Sequence, residues 1–213
     1  MGISNSLGIN HWDTERVEYA KEHIHRLRGT MGKNVPIVSV GSGTGEYEYE
    51  ITKDENESEL ELICVDTKDD EHLDSEYVIK PKYATVDDLI KDRSGIVGDC
   101  ILCLFWSYDQ GRMNDYPHSN YPYDIDAIVK LKPKSIIILY EEFGGSGSDM
   151  LHYWLFGYDL PSNEDVFPKL DWLVVINEIP RYKCVSHKWH YGDHSPMHFS
   201  EKSIICAVFE PLD

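Results

Sequence analysis

The sequence predicts an α/β fold: one domain built on a mostly parallel sheet, closed by an antiparallel last strand. Three observations carry this. Near-continuous apolar runs alternate with helical stretches through the first two thirds of the chain. Strands buried on both faces read as unbroken apolar runs, and helices between them imply parallel pairing. The last two apolar runs, by contrast, have no convincing helix between them.

The elements follow in order. Asp13 is a plausible helix N-cap. After it Val17, Ala20, Ile24 and Leu27 recur at helical spacing, and Gly29 is a natural stop. Residues 1–30 therefore read as an N-terminal helical segment covering one edge of a single 1–213 domain. Strands are expected at Pro36 to Val40, Leu60 to Val65, Tyr77 to Ile79 (weak), Cys100 to Trp106 and Ser135 to Tyr140. Helices are expected around Thr44 to Thr52, Val86 to Lys91 and Tyr123 to Leu131. Trp172 to Ile179 and Ile204 to Phe209 are the closing pair, joined by a loop-like excursion.

Bulk composition sets bounds. The chain has 213 residues and is 41% hydrophobic and 27% charged, which suits one globular domain. Lys and Arg total 20 against 38 Asp and Glu, a formal charge of −18. Such acidity repels polyanions and lowers the expectation of nucleic-acid binding. Residues 53–76, with eleven acids against two lysines, read as a solvated rim. Four of the five cysteines, Cys64, Cys100, Cys103 and Cys206, lie in apolar runs and read as reduced core thiols. Residues Met1 to Asn10 lack a signal-peptide pattern, and no run approaches the roughly 18 apolar residues of a membrane span. The expected location is cytoplasmic, with no membrane partner.

The most informative stretch is Val38-Ser39-Val40-Gly41-Ser42-Gly43-Thr44-Gly45-Glu46. Glycines at alternate positions follow a strand and precede a helix. They permit positive φ in the turn and close approach of a ligand to the backbone. The helix beyond offers free N–H groups to a ligand carboxylate. Asp66 ends the second strand 21 residues after Gly45, where an acid can accept hydrogen bonds from ribose hydroxyls.

The dinucleotide fingerprint is G-x-G-x-x-G, and here the third glycine comes one position early. The G-x-G-x-G spacing resembles that of class I (Rossmann-like) S-adenosylmethionine-dependent methyltransferases. The resemblance runs from Pro36 to about Phe209. It is specific at Gly41, Gly43, Gly45 and Asp66 and architectural elsewhere. It implies S-adenosylmethionine as cofactor, bound by Ser39, Gly41, Ser42, Gly43, Thr44, Gly45, Asp66, Thr67, Tyr83, Thr85, Phe105 and Trp106.

The departures are informative too. The family often has an acid two residues before the first glycine, to meet the methionine moiety; this chain has Ser39. The family's acid near the adenine has no match in Lys82-Tyr83-Ala84-Thr85, so Tyr83, Thr85 or Asp87 is the candidate there. Phe105 to Tyr108 does not match the Asn-Pro-Pro-aromatic motif of some amino-group methylating relatives. The Lys-Asp-Lys-Glu set of cap ribose methyltransferases has no counterpart.

The acceptor side is read from location. Asp109, Glu141 and His190 are the candidate catalytic residues, each useful only if the acceptor must lose a proton. Tyrosines 108, 116, 121 and 123 with His118 could wall a pocket, or pack their own surface loop. Gly144 to Ser148 is either a mobile flap or a plain turn. Cys184, His187, His190, His194 and His198 invite a metal reading, but no C-x-x-C pair is present and no metal is expected. The same segment, Arg181 to His198, carries Arg181, Lys183 and Lys188 against Asp193 alone, with Trp189 and Tyr191 between. It reads as a solvated loop or as part of an acceptor pocket for an anionic small molecule or a protein. The expected activity is methyl transfer to an unidentified acceptor. The alternatives are a catalytically silent, methyltransferase-like binding or scaffold protein and, less favoured, a nicotinamide-dependent oxidoreductase.

Overall fold

The computed structural model describes residues 11–32, 34–53, 60–66, 78–105, 122–141, 147–148, 151, 182–191 and 203–212. In them four helices, α1 (His11–Met31), α2 (Glu46–Thr52), α3 (Val86–Asp92) and α4 (Tyr123–Leu131), accompany six strands. The strands are β1 (Ile37–Val40), β2 (Leu62–Val65), β3 (Ile101–Phe105), β4 (Ser135–Glu141), β5 (Tyr182–Tyr191) and β6 (Ser203–Pro211). They form one sheet in the order β2-β1-β3-β4-β6-β5. The pairs β1–β2, β1–β3 and β3–β4 are parallel; β6 is antiparallel to both β4 and β5.

Alternating residues of each strand feed two separate cores, because strand side chains alternate between faces. On one face Ile37, Ile101, Phe105, Ile137 and Leu139 pack with Val17, Ala20, Ile24 and Leu27 of α1 and Ile51 of α2. On the other, Val38, Leu102, Leu104, Ile136 and Phe209 pack with Val86 and Leu89 of α3 and Ile125, Ile128 and Leu131 of α4. The helix stripe read from residues 17 to 27 is thus buried as expected, but it covers a face of the sheet and not an edge.

Four expectations change. Asp13 lies inside α1 and is not its cap. Gly29 is also interior; the helix ends at Gly32, whose φ is +116° and whose N–H donates to Arg28 O at 3.0 Å. One interior glycine costs about 1 kcal/mol, less than the packing of the buried Leu27 stripe returns, so the second glycine is the stop. The weak third strand is not at Val78–Ile79, which bends to donate to Thr44 O at 2.9 and 3.2 Å. It is reduced to one parallel bridge, Val65 to Tyr83. Finally, residues 182–191, read as part of a loop, are the edge strand β5 paired with β6. The strand read at Trp172 to Ile179 lies outside the described residues.

The core thiols are as expected: Cys64, Cys100, Cys103 and Cys206 are free and buried. Burial pushes the thiols of Cys64, Cys100 and Cys206 up to about 12 and that of Cys103 well above its ordinary value, so none is a ready nucleophile. Among the described residues no helix is long and apolar enough to cross a membrane.

Candidate functional site

The glycine turn is built by backbone hydrogen bonds. Gly41 N–H donates to Val65 O at 2.9 Å, which ties the turn to the end of β2. Gly45 N–H closes back on Ser42 O at 2.9 Å, and Tyr49 N–H then starts α2 on Gly45 O. Gly41, Gly43 and Gly45 all have positive φ, at +73°, +55° and +77°. The two later glycines are needed for different reasons. A Cβ at Gly45 would stand 2.7 Å from the carbonyl oxygen of Ile79, so this glycine serves packing. A Cβ at Gly43 would meet nothing within 4 Å. The space over Gly43 is open, and only the backbone conformation demands glycine there.

Asp66 closes the turn from β2. Its Oδ2 accepts the Gly43 N–H at 2.5 Å, and its own N–H donates to Tyr83 O at 3.1 Å. A carboxylate offers about four lone-pair sites, more than the single Gly43 N–H occupies. The hydroxyls of the two adenine-side candidates already have partners. Tyr83 donates to Asp92 at 2.5 Å. Thr85 caps α3, accepting Asp88 N–H at 3.1 Å and donating to the Asp88 carboxylate at 2.8 Å. Phe105 ends β3, 3% exposed, with its ring 6.4 Å from that of Tyr47. Thr67, Trp106 and Asp109 lie outside the described residues, as do His194 and His198.

Sequence reasoning missed Glu48. It is the third residue of α2 and is 1% exposed. The Ser39 hydroxyl donates to its Oε1 at 2.5 Å. Ser39 pairs in register with Cys64 on one side and Cys103 on the other, so three small side chains form a row across β2, β1 and β3. That row leaves room for the Glu48 carboxyl. Burial, opposed by the Ser39 bond and reinforced by the Asp66 charge, raises its pKa to about 7. The signal in the sequence was the spacing of Glu48 and Ile51, three apart, which puts an acid on the buried stripe.

Two of the acceptor-side candidates, Glu141 and His190, fall on one register row at the ends of β4 and β5. Glu141 pairs with Ile204, and Ile204 pairs with His190, so all three share one register row. Positions 141 and 190 are two strand spacings apart, about 10 Å. The segment after β4 is anchored by buried Asp124 at the start of α4. Its carboxylate accepts the Ser148 N–H at 2.7 Å and the Ser148 hydroxyl at 2.8 Å.

The histidine-rich segment does not assemble a metal site in what is described: no group of three or more His, Cys, Asp or Glu is placed to hold an ion among the described residues. Positions 187 and 190 are of opposite parity in a strand, where successive positions alternate faces. Instead β5 is fastened to α1. Tyr19 OH lies 2.8 Å from Ser186 Oγ, and Ser186 Oγ lies 3.2 Å from His23 Nε2. This is not a serine nucleophile with its base. Arg26 Nε donates to His23 Nδ1 at 3.4 Å, so in the neutral ring the proton sits on Nε2 and points at Ser186. Burial and the Arg26 charge lower the His23 pKa, which favours the neutral ring. A cleft of about 630 Å³ beside this contact is lined by Glu15, Glu18 and Glu22 with Lys21 and Lys188. It lies between α1 and β5, away from the glycine turn.

No family model matches this sequence, and no curated protein matches it. Among solved structures the chain is similar to the methyltransferase domain of bacterial CtHen1, at 13% identity over 94% of this chain and 100% of that one, with a TM-score of 0.45. It is similar to the 16S rRNA methylase ArmA at 10% identity, over 100% and 92% of the two chains, with a TM-score of 0.44. It is similar to the MccD protein at 12% identity, over 93% and 96%, also with a TM-score of 0.44.

Proposed function

We propose that this chain binds S-adenosylmethionine at the turn between β1 and α2 and transfers its methyl group to an acceptor. The observation that carries the reading is the open space over Gly43, bounded by the Asp66 carboxylate. The donor set fits the cofactor. Asp66 is a carboxylate at the end of β2, the residue type that accepts ribose hydroxyls, and the positive-φ backbone lets the nucleoside approach closely. Phe105, at the end of β3, and the following Trp106 are the aromatic candidates for the apolar side. When bound, the cofactor supplies a methyl group already activated on a sulfonium.

The protein's contribution is then alignment and exclusion of water. Ser39, Gly41, Ser42, Gly43, Thr44 and Gly45 form the floor. Since the Tyr83 and Thr85 hydroxyls are engaged by Asp92 and Asp88, these two residues would serve the adenine through ring and backbone surfaces. An acceptor would lie beyond the strand ends, near the Glu141–His190 row. Asp109, Glu141 and His190 are the base candidates. The cationic and aromatic residues of 181–198 favour an anionic small molecule or a protein as acceptor, while the net charge of −18 disfavours a polyanion.

Titration calorimetry with S-adenosylmethionine, S-adenosylhomocysteine and NAD tests this directly. The first two are expected to bind and NAD is not; binding of NAD alone would sink the reading. Asp66→Asn should weaken S-adenosylhomocysteine by roughly 1.5–3 kcal/mol, the range for a hydrogen bond to a charged group.

A further inference from the structure

Glu48 is a buried carboxyl, and among the described residues the groups that bear on it include no cation. Ser39 meets it from β1, Cys64 and Asp66 bear on it from β2, and Cys103 from β3. The one charge among these, Asp66, is of like sign. On α1, the buried guanidinium of Arg16 bears on Cys206 in β6. A carboxyl so placed is tolerable as the neutral acid and costly as the anion, unless a cation arrives. The small side chains of the row Cys64-Ser39-Cys103 face the carboxyl near the end of β1, where the strand itself offers only a hydroxyl.

We propose that Glu48 is the counter-ion for the ammonium group of the nucleoside ligand, supplied from α2 to the end of β1, and that it gives up its proton as the ligand enters. This rests on the cofactor reading above. The ammonium keeps its own protons; the Glu48 O–H bond breaks, the electron pair stays on the carboxylate, and the proton passes to solvent. Ser39 Oγ–H, already donating to Oε1, stabilises the anion formed. Its pKa near 7 in the free chain puts the exchange in the neutral range.

The test compares two probes on the full chain. S-Adenosylhomocysteine carries the amino-acid end; 5′-methylthioadenosine has the same adenine and ribose without it. Calorimetry in buffers of different ionisation heat counts protons. Wild type should release about 0.9 proton per S-adenosylhomocysteine bound at pH 6 and about 0.1 at pH 8, and close to none with 5′-methylthioadenosine at either pH. Glu48→Gln should abolish the release, weaken S-adenosylhomocysteine tenfold or more at pH 8, and leave 5′-methylthioadenosine affinity unchanged. Equal weakening of both probes would make Glu48 a structural group and overturn the proposal. So would proton release that persists in the variant, or is absent in wild type that binds. Those outcomes leave the cofactor reading standing; wild type that binds neither probe removes both.

Discussion

The two flanks of the sheet hold their polar groups in opposite ways. At the β1–β2 flank the chemistry sits largely in the backbone: main-chain bonds fix Gly41, Gly45 and Thr44, the Gly43 N–H donates to the Asp66 carboxylate, and a second carboxyl, Glu48, is buried. At the β5 flank it sits in side chains reaching across solvent-facing ground. Lys188 meets Glu15 at 3.6 Å and Arg26 meets Glu210 at 3.2 Å, all four substantially exposed. Buried backbone groups must be satisfied, and leaving one unmade costs 1–3 kcal/mol. Exposed ion pairs are exchanged for water at little net cost. The first flank is therefore rigid and intolerant of substitution, and the second is tolerant, although the second carries the denser array of histidines and cations.

The largest expected effect is at Gly45. Gly45→Ala places a Cβ against the Ile79 backbone at a φ of +77° and should lower unfolding free energy by about 3 kcal/mol, read by urea denaturation. Gly43→Ala carries only the backbone strain, about 1–2 kcal/mol. If the two cost the same, the distinction between a packing glycine and an open one fails.

Glu48 gives an effect of similar size whose magnitude depends on pH. Its pKa lies above the ordinary 4.5, at about 7. The folded chain therefore binds the proton more tightly than the unfolded one, and the stability this contributes is fully present below pH 4.5 and lost as pH rises through 7. The cost of ionising it in the fold is about 3 kcal/mol above that window. Glu48→Gln should melt higher than wild type at pH 8 and lose most of that advantage by pH 5; an advantage constant across this range would place the carboxyl in water.

At the other flank Arg26→Ala should cost less than about 1 kcal/mol and leave S-adenosylhomocysteine affinity unchanged. A loss comparable with that at Gly45 would erase the contrast between the flanks. Gly29→Ala, inside α1 with nothing within 4 Å of the new methyl, should stabilise by about 0.5–1 kcal/mol in the same urea experiment.

The difference between the flanks also governs what could be read in advance. The limits of α4, and those of α3 to within a residue, follow from their own apolar spacing, and the turn follows from three glycines and a strand-end acid within thirty residues. β5 gives no such signal. Tyr182–Tyr191 lacks the unbroken apolar run of the inner strands: among the described residues it pairs with β6 alone, and it meets α1 through Ser186 and Lys188. An edge strand fastened by polar contacts looks like a loop. The third strand was displaced for a similar reason: the apolar Val78–Ile79 pair serves the turn, and a single residue, Tyr83, does the pairing.

What the sequence determined by itself was local: the alternation of buried strands and helices, the conformational demand for glycine at the turn, and an acid at the end of β2. Each is fixed by interactions within a few residues or by burial of a whole run. The tertiary structure decided what depends on neighbours far along the chain. It set Glu48 over the row Cys64-Ser39-Cys103, it separated the roles of Gly43 and Gly45 through Ile79, and it brought Glu141 and His190 into one row across β6. Register between strands and the inward face of a seven-residue helix are properties of the assembled sheet, because only there does each side chain acquire the partners that fix its energy.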